Sequence, residues 1–279
     1  MTLLWSGTLR KMRVEATVPV TYRLADGFHD PDRRAADLVL NPLIGRAVAL
    51  RFTGQIACVA CGRTVKKTFG EGWCFPCSQS LAEADLCIVR PELCHFGDPG
   101  HPCRDESFAH EHCFRPHVLY VSLTSGFKVG ITRRVNIPAR WIDQGAVAAI
   151  PLALLPSRRD VGLIEASLAR RFADKTHWMR MLREASPAGE LAVHAREVLA
   201  ALAALGAPGI LPPDQQAPHA FVYPVMRHPV KVKSLNLDKE PAAAGALLGI
   251  KGQYLILDSG VINLRKYTGY QVELRGGPA

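Results

Sequence analysis

Nowhere in the 279 residues is there an apolar run of about 18, the length a membrane-spanning helix needs. The N-terminus carries Trp5, Arg10, Lys11 and Arg13 but no long apolar core ahead of a small-residue cleavage site. That argues against a secretory signal and predicts a cytoplasmic protein. Acid is in short supply, with 25 Asp and Glu against 34 Lys and Arg, a formal net charge of +9. Cysteine is missing everywhere outside residues 58–113, which hold all eight, and no internal repeat is evident. What is present is a globular composition. Hydrophobic residues make up 48% and charged residues 21%, in a chain long enough for two or three domains.

The charge is unevenly spread. Residues 118–183 hold 11 Lys and Arg against 4 Asp and Glu, a balance of +7, whereas residues 58–113 hold 5 against 8, a balance of −3. A basic stripe on the first stretch is the electrostatic footprint of a phosphate-backbone binder; solubility charge on a basic chain is the plainer reading. The acidic cysteine block reads instead as scaffold.

Clustered cysteines in a chain read as cytosolic favour metal over disulfides. Cys58-x2-Cys61 and Cys74-x2-Cys77, with 12 residues between the pairs, have the spacing of a tetrahedral zinc site with four thiolate ligands. Each pair sets two thiolates on one tight turn, and zinc closes an otherwise marginal hairpin. Cys74-Phe75-Pro76-Cys77 also has the form of a redox pair, but such a pair needs a thioredoxin-like helix N-terminus, of which nothing is seen. The remaining Cys87, Cys94, Cys103 and Cys113 are interleaved with histidines at spacings that fit no compact knuckle. They are expected to hold a second structural zinc, with His95 or His117 as a replacement for one of them; one or two buried free thiols is the alternative.

Residues 117–132, HVLYVSLTSGFKVGIT, read as two strands joined at Thr124-Ser125-Gly126. Period-two alternation puts Leu119, Val121, Leu123, Phe127, Val129 and Ile131 on one face. The other face carries Tyr120, Ser122, Lys128, Gly130 and Thr132, where a glycine admits a close approach to the backbone. A helix follows from Asn136 and Pro138 through Arg140 and Trp141 to Gly145. Residues 147–155 are a buried strand that Pro151 pushes toward an edge or a bulge. Asp160 then opens a second helix with Leu163, Ile164, Leu168 and Phe172 at helical spacing and Glu165 beside that stripe.

This order resembles the GIY-YIG nuclease superfamily over roughly a quarter of the chain. Leu119-Tyr120-Val121 looks like the first-strand triplet, and Lys128-Val129-Gly130-Ile131-Thr132 is similar to the branch with KIG in place of YIG. Arg140 matches the helix arginine, and Ile164-Glu165 with Leu168 and Phe172 resembles that branch's glutamate helix. The resemblance implies metal-dependent phosphodiester cleavage of DNA or RNA. Glu165 would hold Mg²⁺ or Mn²⁺, Arg140 the scissile phosphate, and Tyr120 the proton of the attacking water. Lys128 would supply positive charge, and Arg133 and Arg134 would hold flanking phosphates. The alternative is a non-catalytic, zinc-stapled nucleic-acid-binding or assembly module that keeps the fold without the chemistry. The whole chain also resembles an uncharacterised bacterial domain-of-unknown-function family.

Elsewhere the residues carry packing. Trp141 and Trp178 read as core, with base stacking as the other possibility. Residues 186–205 form a helix with Ser186 as cap, Pro187 in the first turn and Leu191, Val198, Leu199, Leu202 and Leu205 on one stripe. Residues 207–219 are a linker by composition. FVYPV, VKVKSL, QYLIL, VINLR and YQVEL then read as short strands, with Asp258-Ser259-Gly260 a hairpin turn. Their exposed edges need a partner, and the N-terminal strands are the natural candidates. The expectation is therefore an α+β protein. Residues 1–57 and 218–279 form one β domain around a zinc-ribbon block (58–116), a GIY-YIG-like domain (117–183), and a helix with linker (184–217).

Overall fold

The computed structural model describes residues 1–172, 176–183 and 191–277. In chain order it begins with β1 (Thr2–Thr8), β2 (Arg13–Glu15), β3 (Thr21–Leu24), β4 (Leu38–Val39), β5 (Ala47–Ile56) and α1 (Phe75–Ser80). Next come α2 (Glu106–Phe108), β6 (His117–Leu123), β7 (Phe127–Arg133), α3 (Ala139–Asp143), β8 (Ala148–Leu155), α4 (Arg158–Leu168), α5 (Trp178–Arg183), α6 (Leu191–Ala204) and β9 (His219–Ala220). The chain closes with β10 (Ala242–Lys251), β11 (Tyr254–Leu257), β12 (Gly260–Asn263) and β13 (Tyr270–Gly276). It divides into two units, residues 1–79 with 222–279, and residues 80–221.

The first unit joins the two ends of the chain. Its larger sheet runs β1-β13-β5-β10-β11-β12, with antiparallel neighbours, and β2-β3-β4 form a smaller one. Alternation explains β13: Tyr270, Val272 and Leu274 are buried between half-exposed Gln271, Glu273 and Arg275. The N-terminal segment is pinned a second time, because the Met12 N–H donates to Gln253 Oε1 at 2.7 Å and Gln253 Nε2 donates to the Met12 carbonyl at 3.2 Å. Residues 242–246, an alanine-rich run, prove to be the first half of β10 and pair with residues 47–51 of β5. FVYPV and VKVKSL are not strands; they contribute single bridges, Val225 with Gly249 and Ser234 with Val261. Pro224 and Pro229, which lack a donor, break up that stretch.

The second unit is a four-stranded antiparallel sheet in the order β7-β6-β8-β9. β6 is central and buried along its whole length. One face packs Leu119, Val121, Leu123, Val129, Ile150 and Leu152 against Val161 and Leu168 of α4 and Leu191, Val198 and Leu202 of α6. On the other, Trp141 of α3 meets Tyr120 edge-on at 5.6 Å, and both are fully buried. The Pro151 irregularity is a register shift, with Leu119 opposite Ala153 but Tyr120 opposite Pro151. Residues expected as a linker run along β8 instead: Ile210 bridges Ala153, and His219–Ala220 pair with Ala149 and Ala148.

Three local details differ from the sequence reading. The cap of α4 is Ser157, whose Oγ accepts from the Asp160 N–H at 3.1 Å and donates to the Asp160 carboxylate at 2.6 Å. Leu163 is 48% exposed, and Val161 fills the core in its place. Ahead of α3, Pro138 occupies the cap position, and residues 134–136 form a separate 3-10 turn, so Asn136 caps nothing. Ser186 and Pro187 lie outside the described residues.

Lys251, at the end of β10, is 1% exposed, with its ammonium 5.4 Å from the Tyr223 ring centre. Burial pushes it down to about 8 from an ordinary 10.5. Between those values the unfolded chain carries a proton that the folded chain lacks, so stability rises with pH across that window and the penalty is full below it. Lys251→Met is expected to raise the stability at pH 7, by up to about 3 kcal/mol before loss of the lysine's own contacts is counted. That gain shrinks to nothing as the pH passes about 10.5, which thermal denaturation at both pH values measures.

Candidate functional site

The first cysteine pair grows out of the end of β5. Ala57 bridges Thr64, the Cys58 N–H donates to the Arg63 carbonyl at 2.9 Å and Gly62 N–H donates back to Cys58 at 2.9 Å. Gly62 takes a φ of +73°, the left-handed conformation that a turn this tight requires. A second turn, bridged between Phe69 and Trp73, presents Cys74 at the foot of α1 and Cys77 inside it. All four sulfur atoms lie within 4.8 Å of one another. Cys61 Sγ and Cys74 Sγ are 3.7 Å apart, far beyond a disulfide bond and close to the edge of about 3.8 Å of a tetrahedron with Zn–S bonds of about 2.3 Å.

Electrostatics fit the same reading. Burial pushes the Cys58 thiol up, but hydrogen bonds from the backbone of Cys74, Cys61 and Ala60 outweigh it and bring the group to about 7. Burial and the neighbouring thiols push Cys77 up to about 12. Four thiols this close cannot all ionise without a cation, and zinc removes the conflict. The cluster is consistent with one zinc ion, and the C-x-P-C pair lies within it.

The second cysteine set is arranged differently. Asp85, Cys87 and His95 offer ligand atoms within 4.8 Å of one another, and the thiols of Cys94, Cys103 and Cys113 stand outside that group. Buried His117 donates from Nδ1 to the Arg115 carbonyl at 2.7 Å. It is pushed down to about 4 by burial and by the nearby Arg158 and Arg133.

In the hairpin, Tyr120 faces Gly130 and Ser122 faces Lys128. The close approach that Gly130 permits is that of the Tyr120 ring, since a Cβ there would lie 2.8 Å from the hydroxyl. The hydroxyl donates to Gln144 Oε1 at 3.1 Å. Burial pushes Tyr120 up to about 12, with Arg140 pulling the other way through charge and a hydrogen bond, and Glu165 adding to the rise. Arg140 of α3 thus hydrogen-bonds Tyr120 of β6, and Glu165 of α4 acts on it through charge. Gln144 is the residue the sequence reading missed, although it lies four positions after Arg140, on the same helical face. Lys128, 7% exposed, lines a cavity of about 260 Å³ with Phe127, Arg171, Phe172, His194 and Glu197. Arg133 is half-buried and Arg134 exposed at the end of β7. Trp141 is core, and Trp178 is half-buried at the start of α5.

A family described as a protein of unknown function, DUF2797, matches residues 45–272. The chain belongs to the DUF2797 family. No curated protein and no solved structure matches it. The DUF2797 match takes in both cysteine sets and the whole hairpin unit and leaves out β1 to β4. No helix among the described residues is long and apolar enough to cross a membrane.

Two outcomes are expected. Cys58→Ser lowers the zinc content by one ion per chain, read by native mass spectrometry, and lowers the thermal midpoint because metal binding is part of folding. Gly130→Ala forces the buried Tyr120 ring to move and destabilises the protein by about 1–3 kcal/mol in urea denaturation.

Proposed function

We propose that the second unit is a metal-dependent phosphodiesterase of the GIY-YIG type that acts on DNA or RNA. What supports this reading is that Arg140, through charge and a hydrogen bond, and Glu165, through charge, both act on the Tyr120 hydroxyl. The element order β6-β7-α3-β8-α4 supports it, as does the balance of +7 over residues 118–183. The zinc expected at Cys58, Cys61, Cys74 and Cys77 belongs to the first unit and is structural.

Each side chain has a role that follows from its chemistry. The planar guanidinium of Arg140 suits a phosphate held by two parallel hydrogen bonds. Gln144 orients the Tyr120 hydroxyl by accepting its hydrogen bond. At about 12 with the pull of Arg140 already acting, Tyr120 is protonated at neutral pH and must give up its own proton before it can take one from water. Glu165, half-buried on α4, offers the single carboxylate that Mg²⁺ or Mn²⁺ requires when water fills its other positions. When bound, such an ion stabilises charge on the phosphate and the leaving oxygen. Arg133 and Arg134 lie at the end of β7, suited to flanking phosphates without reading bases.

Two observations favour a second reading, a nucleic-acid-binding or assembly module without catalysis. Tyr120 is 0% exposed, and Lys128 lines a cavity shared with α6 residues. The two readings separate on end-labelled single- and double-stranded DNA and RNA, incubated with Mg²⁺, Mn²⁺ or EDTA. The nuclease reading expects metal-dependent cleavage that Glu165→Ala abolishes and that Arg140→Ala slows on the order of a hundredfold, with salt-sensitive binding kept by the Glu165 variant. Binding without cleavage by the unsubstituted protein selects the module. Neither binding nor cleavage refutes both.

A further inference from the structure

A second group of donor atoms converges in the turns that precede β6. Asp85 caps the 3-10 turn Leu86–Ile88, and its Oδ1 accepts from the Cys87 N–H at 3.1 Å. Its Oδ2 is 2.9 Å from Arg104 Nε and 3.6 Å from His95 Nε2. The tautomer of His95 follows from its other nitrogen. Nδ1 lies 2.8 Å from the His101 carbonyl oxygen, which only accepts, so Nδ1 carries the hydrogen and Nε2 of the neutral ring is a bare lone pair. That Nε2 is buried without a hydrogen-bond partner.

A bare imidazole nitrogen and a carboxylate oxygen are both acceptors, and facing each other they repel unless something positive lies between them. A proton on Nε2 is one answer. Yet 3.6 Å is well beyond the ~2.7–2.9 Å of a charge-assisted hydrogen bond, and Arg104 already supplies Oδ2 with a cation. A proton also leaves unexplained why the Cys87 sulfur lies within 4.8 Å of both atoms. Imidazole fixed by a carbonyl on its far nitrogen, beside a thiol and a carboxylate, is the donor chemistry of a zinc-class metal with its supporting hydrogen bond in place.

We propose that Asp85, Cys87 and His95 hold a second divalent transition metal of the zinc class in a mixed oxygen, sulfur and nitrogen donor set. The thiols of Cys94 and Cys113 act on Cys87 through charge and are the neighbours that supply a fourth donor. Cys103 Sγ instead donates to the Asp105 carbonyl at 3.5 Å. His117 has the same arrangement, Nδ1 on the Arg115 carbonyl and a buried Nε2 without a hydrogen-bond partner, but it lies outside the group that Asp85, Cys87 and His95 form. The site also underlies α4. Arg158, at the start of that helix, donates to the Ile88 carbonyl, and Gly162 packs so closely on Pro91 that a Cβ would lie 2.3 Å from it. The metal therefore steadies the platform beneath the helix that bears Glu165.

The test uses the full chain loaded with zinc alone. Native mass spectrometry is expected to count two zinc ions per chain, and one in His95→Ala and in Cys87→Ser. X-ray absorption at the zinc edge on the unsubstituted protein, which needs no variant to fold, is expected to show nitrogen and oxygen donors alongside sulfur. A single ion in the unsubstituted chain, two ions retained by His95→Ala, or a first shell of sulfur only would each overturn the proposal. The first result leaves Asp85 with a protonated histidine, and the last returns the site to four thiolates.

Discussion

The Tyr120 ring lies across Gly130, and the second unit depends on that pairing. A shift of β7 by one residue against β6 would turn Phe127, Val129 and Ile131 away from α4 and α6 and turn Lys128 and Thr132 toward their core. It would also place a side chain where only a glycine leaves room for the phenol. The register thus sets the hydrophobic face and the candidate site together. Trp141 closes over the ring from α3, and Gln144 and Arg140 reach the hydroxyl from the same short helix. The apolar contacts that fold the unit also seat Arg140 and Gln144 beside the tyrosine.

The turns between β5 and β6 have few apolar side chains to bury and little regular structure to hydrogen-bond. Between α1 and β6 there are three 3-10 turns, a single α-turn and a π-turn. Segments of this kind gain little from burial, and cross-links through metal stand in for a core. The four thiols at Cys58, Cys61, Cys74 and Cys77 do this for the first unit, where the ends of the chain are already joined through β1, β13 and β5.

What the sequence made legible was whatever carries strong local periodicity or a fixed spacing. The hairpin, the strand at 148–155 with its proline irregularity, and the paired C-x2-C knuckles are of this kind, as is the joining of N- and C-terminal strands. The first half of β10 was invisible because alanines carry neither a period-two pattern nor β propensity; its place comes from the neighbouring β5. The segments around Pro224 and Pro229 read as strands on composition and fail as strands for want of donors. In the candidate site, Tyr120, Arg140 and Glu165 come from the resemblance alone. Gln144 was not legible, because an amide partner for a buried hydroxyl is a matter of tertiary contact. Asp85 went unread because a carboxylate two residues before a cysteine carries no spacing signal, and its nearness to His95 depends on the turns between them.

Tyr120, Arg140 and Glu165 are proposed to form one site able to take a hard divalent cation. The most direct measurement is Mn²⁺ titration of the isotope-labelled, zinc-loaded protein, followed by paramagnetic broadening of its amide resonances. Broadening confined to residues around Glu165, Arg140 and Tyr120, and lost in Glu165→Ala, is the predicted result. Broadening that leaves those amides untouched, or that persists unchanged in the variant, would contradict it.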